Sequence, residues 1–199
     1  MKIIECEQGS PEWFACKAGI PSAGSLDKII TSKGEPSKQR KDYMHQLAGE
    51  AVVGAMESGY TNFAMERGKV LEAEARALYE FQHGITIRQV GFCIRDDGLL
   101  GASPDGLRDQ EQGGIEIKCS LIHTHVEYLL GGKLPTKYYQ QVQGNLFVTG
   151  AKYWDFISYY PGMRPLIVRV EPDIKFHAAL TVELRAFNEE LVETIKAIQ

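Results

Sequence analysis

The sequence predicts an α/β (α+β) fold: a central mixed sheet of about five strands flanked by helices, with a helical N-terminal part. Three observations predict it. Residues 1–83 carry helix signals almost throughout, the apolar period then shortens to that of strands, and beyond residue 136 helix and strand signals alternate. No compositional shift marks a linker, so residues 1–199 read as a single domain.

The elements follow in order. Ser10-Pro11-Glu12-Trp13 supplies an N-cap, a proline at the first helical position and an acid in the first turn, predicting a short helix to about Ala18 that stops at Gly19-Ile20-Pro21. Ser22 to Ile30 suits another short helix, followed by a polar loop from Thr31 to Ser37. Residues 38–57, rich in Ala, Met, Leu and Glu, fit a helix ending near Gly59. After Thr61-Asn62 the chain is again helical to Phe81, with Leu71, Ala75 and Leu78 on one face. Ile85 to Arg95 then reads as a strand closed by the turn Asp96-Asp97-Gly98. Leu99 to Arg108 and Gly114 to Cys119 are two more strands, so the three form a meander. Thr136 to Val148 is a helix, Tyr153 to Tyr160 and Leu166 to Val170 are strands around Pro161-Gly162, and Ile174 to Ile198 is a last helix.

Composition narrows the function classes. The chain is 44% hydrophobic and 24% charged, enough to bury a core without disulfides or structural metals. A net charge of −4 excludes a protein coated in basic residues. Local patches remain, since steering depends on distribution: Lys33, Lys38, Arg40 and Lys41 form one, and Arg67, Lys69 and Arg76 another. The four cysteines, Cys6, Cys16, Cys93 and Cys119, have no CxxC spacing, so reduced thiols in a cytoplasmic protein are expected. Neither a signal-type apolar segment nor a run long enough to span a membrane is present.

The chemistry concentrates in Ser103-Pro104-Asp105-Gly106 and Gly114-Ile115-Glu116-Ile117-Lys118. Side chains alternate along a strand, so Glu116 and Lys118 share one face and Ile115 and Ile117 the other. A chain break at Pro104 lets the neighbouring strand bring Asp105 beside Glu116. Two carboxylates suit a hard divalent cation such as Mg²⁺, which keeps several waters. The ammonium can orient a water or offset charge in the transition state. The same residues also fit a turn aspartate and an exposed Glu/Lys pair, which the pattern alone leaves open.

The flanks are more specific. The stretch resembles the PD-(D/E)xK nuclease motif, in particular the lambda-exonuclease and YqaJ-type viral recombinase family. Trp13 with Lys17-Ala18-Gly19-Ile20-Pro21-Ser22-Ala23 resembles that family's N-terminal block, and Arg67-Gly68-Lys69-Val70-Leu71-Glu72 its G-x3-E helix. Tyr138-Tyr139-Gln140-Gln141-Val142-Gln143 resembles its Q-x-Q helix, and the blocks keep the family's order across about residues 10–160.

The resemblance implies a restriction-endonuclease-like core and a Mg²⁺-dependent exonuclease. Such an enzyme degrades one strand of duplex DNA 5′→3′, processively, from a 5′-phosphorylated end, and leaves a 3′ single strand for a phage-type annealing protein. It implies a two-metal site in which Mn²⁺ substitutes, a ring-shaped homotrimer, and residence in the cytoplasm of a bacterial or phage-infected cell. By the same resemblance Asp105, Glu116 and the Ile117 carbonyl would ligate metal, Lys118 would be the catalytic lysine, and Glu72 would approach the second metal. Tyr138 and Gln141 would face the site, and Lys17, Ser22 and Ser103 would take the 5′-phosphate. Met65 suggests an apolar wedge against the terminal base pair. Two positions depart from the family: Lys17 stands where an arginine is usual, offering a point charge instead of a fork, and the expected serine falls at Gly24, leaving Ser22 or Ser25 to substitute. A restriction-type endonuclease and a catalytically silent DNA-end-binding protein are the rival readings. His123 and His125 would suit one strand face, but no third ligand at metal spacing makes them a zinc site.

Overall fold

A computed structural model describes residues 1–56, 63–108 and 112–199, with the side chains of residues 63–66 and 69 left aside. Strand β1 (Lys2–Ile4) is followed by helix α1 (Pro11–Lys17), a 3-10 segment (Ala23–Lys28), and helices α2 (Arg40–Val53) and α3 (Phe63–His83). Strands β2 (Ile87–Arg88), β3 (Phe92–Ile94), β4 (Gly101–Ala102), β5 (Gly106–Arg108) and β6 (Gly113–Lys118) come next. Helix α4 (Ile122–Gly131), helix α5 (Tyr139–Thr149), strands β7 (Tyr153–Ser158) and β8 (Leu166–Val170) and helix α6 (Ile174–Ile198) complete the chain. None of the described helices is long and apolar enough to cross a membrane.

The central sheet is mixed and five-stranded, as expected, in the order β2-β5-β6-β7-β8. Only β6 and β7 are parallel, and parallel neighbours need a long crossover, supplied here by α4 and α5. The meander expectation is corrected. Residues 85–95 and 99–108 each break in the middle, so β3 and β4 leave to form a second sheet, β1-β3-β4. The breaks have steric causes. A Cβ at Gly91 would lie 2.5 Å from the Cys6 carbonyl, and Pro104 has no N–H to give a ladder. Strand β1 carries too few residues to signal itself, and α4 follows Leu121, which gives it no side-chain cap.

Each face of the sheet is covered. Ile115, Ile117 and Ile157 pack with Ala75 and Tyr79 of α3. Trp154 and Phe156 face the larger core with Val142 and Leu146 of α5 and Leu180, Leu184 and Phe187 of α6. On α3 the buried stripe is Leu71, Ala75 and Tyr79, with Leu78 half-buried at its edge. Because Glu116 lies directly beside Phe156 in the sheet, it points toward α5, while its neighbours Ile115 and Ile117 point toward α3.

The basic stretches are partly spent on structure. Arg40 pairs with Glu183 and Glu190 of α6, at 2.7 and 2.9 Å, which removes it from a free patch. Asp96-Asp97-Gly98 is the expected plain turn, with Gly98 at φ 75° donating to the Arg95 carbonyl.

Candidate active site

Asp105 occupies the bend between β4 and β5. Strand β5 pairs with β6 only as far as Gly106–Ile115, so the next outward N–H on that edge, that of Ile117, lacks a ladder partner. Asp105 Oδ2 accepts it at 2.6 Å. The N–H and C=O of one strand residue point to the same edge, so the Ile117 carbonyl opens on this side too.

Glu116 is 1% exposed, and its carboxylate is fully engaged. Oε1 accepts from Gln141 Nε2 at 2.7 Å and lies 2.7 Å from Lys118 Nζ. Oε2 accepts from Asn145 Nδ2 at 2.9 Å. Gln141 and Asn145 are one turn apart on α5, which places both amides over one carboxylate. Asn145 was not singled out from sequence; its i+4 spacing from Gln141 was the available signal.

The charges shape one another. Burial pushes the Asp105 carboxyl well above the usual carboxylate range, and Glu116 and Glu72 push it the same way. Burial alone would lower the Lys118 ammonium, but Glu116 and Asp105 outweigh it and hold Lys118 above its ordinary value. Lys118 is therefore a fixed cation, and its Nζ lies 5.3 Å from the centre of the Tyr138 ring. Tyr138 stacks on Phe156 at 5.2 Å, in the 3-10 turn just before α5 and not inside the helix. Cys119, next along, is pushed up to about 12 by burial and cannot serve as a thiolate.

Glu72 comes from α3 and accepts from Arg76 Nη2 at 2.7 Å, an i,i+4 pair. Burial raises its carboxyl, with Glu116 adding and Arg76 opposing. Arg76, expected in a local basic patch, is instead 11% exposed and also donates to the Asp105 carbonyl. A cleft of about 480 Å³ opens between these groups, lined by Glu72, Arg76, Asp105, Gln8, Gln89 and Val90.

A second group of predicted residues lies beside the first. Lys17 Nζ sits 3.5 Å from the centre of the Trp13 ring, and Trp13 Nε1 donates to Ser103 Oγ at 3.0 Å, two residues before Asp105. Burial pushes the Lys17 ammonium down to about 8, against the opposing pull of Cys16 and Glu50. Glu50, absent from the sequence expectations, is buried and accepts from the Gly19 N–H, fixing the turn after α1. The Ser22 N–H donates to the Tyr43 hydroxyl and Ser22 bridges to Gly101, which sets it beside β4. Gly24 faces Gln141: a Cβ there would lie 3.9 Å from Gln141 Nε2.

Other predicted residues stand apart. His125 is buried against Ser158 Oγ and the Arg164 carbonyl, and His123 is exposed. Both lie on α4, so an i,i+2 spacing sends them to different faces and not to one strand face. Gln143 holds the Glu171 carbonyl and the Asp173 N–H, a structural task. The Met65 side chain lies outside the described residues.

The donor set fits a hard divalent cation. Among the described residues Asp105 Oδ1 has no hydrogen-bond donor, and the Ile117 carbonyl opens beside it. Also among the described residues, no three His, Cys, Asp or Glu side chains are grouped closely enough to hold an ion alone. Mg²⁺, which takes one or two carboxylates and retains waters, asks for no more.

The model of the YqaJ-like viral recombinase domain matches residues 12–152, a span that contains Lys17, Glu72, Asp105, Glu116, Lys118 and Gln141. The chain belongs to this family. Among solved structures it is similar to an alkaline exonuclease (LHK-Exo) from Laribacter hongkongensis, 33% identical with a TM-score of 0.84 over 95% of this chain and 96% of that one. The same match holds for LHK-Exo in complex with dAMP. A phage related exonuclease from Haemophilus somnus 129PT, 16% identical with a TM-score of 0.68 over 90% of this chain and 96% of that one, shares the fold. The comparison with curated proteins found no match. By family and site chemistry the chain is a deoxyribonuclease.

Proposed function

We propose that the chain is a Mg²⁺-dependent 5′→3′ exonuclease that degrades one strand of duplex DNA from a 5′-phosphorylated end. The observation that carries this reading is the placement of the Lys17–Trp13–Ser103 group two residues from Asp105. A cation joined through Trp13 and Ser103 to the Asp105 bend suits a terminal phosphate held near the bond that is cut. The LHK-Exo relative bound to dAMP, a nucleoside monophosphate of the kind exonucleolysis releases, supports it.

The residues divide the work. Asp105 Oδ1, Glu116 Oε2 and the Ile117 carbonyl would hold Mg²⁺, or Mn²⁺ in its place, and Glu72 would turn toward a second ion. When bound, such an ion neutralises charge on the scissile phosphate and lowers the pKa of its water. Lys118, kept cationic by its carboxylate neighbours, orients the attacking water and offsets charge that develops on the phosphate. Gln141 and Asn145 prevent Glu116 from rotating out of place. Tyr138 borders the strand being cut, and Ser22 and Ser103 add donors to the phosphate pocket.

Processive digestion would leave 3′ single strands for a phage-type annealing protein, in the cytoplasm of a bacterial or phage-infected cell. A ring-shaped homotrimer would keep the enzyme on its track, since cyclic assemblies enclose what they encircle.

Duplexes labelled at either terminus, alongside closed circles of the same sequence, test the reading. Release of label from 5′ termini with circles intact is expected. Cutting of closed circles would make the chain a restriction-type endonuclease, and DNA binding without release in Mg²⁺ would make it a silent end-binding protein.

A further inference from the structure

Asp105 lies where no ladder fixes the backbone, yet both carbonyls flanking its Cα are tied to side chains from distant segments. Gln8 Nε2 donates to the Pro104 carbonyl at 2.8 Å, and Arg76 Nε donates to the Asp105 carbonyl at 3.2 Å. The second Gln8 Nε2 proton goes to the Val90 carbonyl at 2.9 Å. Both Gln8 partners are carbonyls, which only accept, so the orientation of the amide is fixed.

Gln8 is itself pinned. It stands in a turn closed by the Ser10 N–H on the Glu7 carbonyl, with Gly9 at φ 88°, a conformation glycine adopts without strain. Ser10 then caps α1, whose residues Trp13 and Lys17 belong to the proposed phosphate pocket. Arg76 is equally committed, since the same guanidinium holds Glu72.

We infer that Gln8 and Arg76 are positioning residues that set the Asp105 carboxylate, and with it the cation site, by clamping the backbone on either side of it. The inference rests on the reading of Asp105 as a metal ligand. The reasoning is that of ligand-orienting partners elsewhere, whose loss costs on the order of tenfold to a hundredfold in metal affinity or activity. Gln8→Leu removes both donors at similar size. Gln8→Glu presents an acceptor to two carbonyls. Arg76→Lys keeps the charge beside Glu72 but, with one ammonium in place of a fork, cannot serve Glu72 and Asp105 with the same geometry.

The test is Mn²⁺ binding to the full chain without DNA, read from the electron paramagnetic resonance signal of free Mn²⁺. It is run with the Mg²⁺ dependence of digestion, the KM for duplex ends and the unfolding temperature. Gln8→Leu and Gln8→Glu are expected to bind Mn²⁺ about tenfold more weakly and to need correspondingly more Mg²⁺. KM for DNA ends should stay at the wild-type value, and Arg76→Lys should fall between. Wild-type Mn²⁺ affinity in either folded Gln8 variant, with only the unfolding temperature lowered, overturns the inference. Wild-type Mn²⁺ affinity in Asp105→Asn instead overturns the metal-ligand reading beneath it. Should Gln8→Leu not fold, Gln8→Glu and Arg76→Lys decide, and wild-type affinity in both overturns the clamp.

Discussion

Replacing Asn145 with alanine isolates the support beneath Glu116. The Asn145 amide is 1% exposed and donates to a carboxylate oxygen that is itself buried. In the metal-free chain its removal takes from Glu116 Oε2 the side-chain donor it has. A hydrogen bond to a buried charged group is worth about 1.5–3 kcal/mol. In a domain of this size each kcal/mol moves the melting temperature by about 2–4 °C, so a loss of about 2 kcal/mol lowers Tm by about 4–8 °C. Asn145→Asp goes further by setting a second carboxylate at hydrogen-bond distance from the first. Its deficit should shrink at acidic pH, where the pair can share a proton. Thermal unfolding in chelator at pH 5 and pH 8 reads both variants. A Tm for Asn145→Ala within about 1 °C of wild type, or a deficit in Asn145→Asp that ignores pH, would refute the reasoning.

Two further outcomes follow from the charges of the site. Without metal, Asp105→Asn should be more stable than wild type at pH 8, with the gap closing toward pH 5. The native carboxyl is raised above its ordinary value, so the folded state binds this proton more tightly, and wild-type stability falls as pH rises through that window; a variant less stable than wild type at pH 8 in chelator would contradict this. Preference for a 5′-phosphate over a 5′-hydroxyl, measured as a ratio of kcat/KM, should fall as pH rises through about 8, where the buried Lys17 ammonium loses its proton. Lys17→Arg, whose guanidinium stays charged, should keep the preference at higher pH, and a pH-independent ratio in wild type would rule out Lys17 as the anchor.

The parts legible in the sequence were those written in local pattern. Alternation in Gly114 to Lys118 put Glu116 and Lys118 on one face, and strand β6 has that arrangement, down to the 2.7 Å Lys118–Glu116 contact. The cap at Ser10 was equally plain, because a cap is a property of a few neighbouring residues; the stop of α2 was not, since the helix ends at Gly54 and not near the expected Gly59. What stayed hidden depends on contacts between distant segments. Nothing in Ile85 to Arg95 shows that Gly91 must pass against Cys6, so the split into two sheets was missed. Arg76 read as one cation among several until α3 and the Asp105 bend were seen together. Gln8 gave no signal, since a lone glutamine before a helix cap is ordinary in composition and its partners lie more than 80 residues away.

The centre itself is tested most directly by nucleotide release from a 5′-phosphorylated linear duplex in Mg²⁺, comparing wild type with Lys118→Ala. Lys118 is the only cation shown in contact with the Glu116 carboxylate among the described residues. The account predicts release by wild type, loss of it in Lys118→Ala by on the order of a hundredfold or more, and duplex binding retained in both. Equal release by the two proteins would remove Lys118 from the chemistry and with it the assignment of Asp105, Glu116 and Lys118 as the catalytic centre.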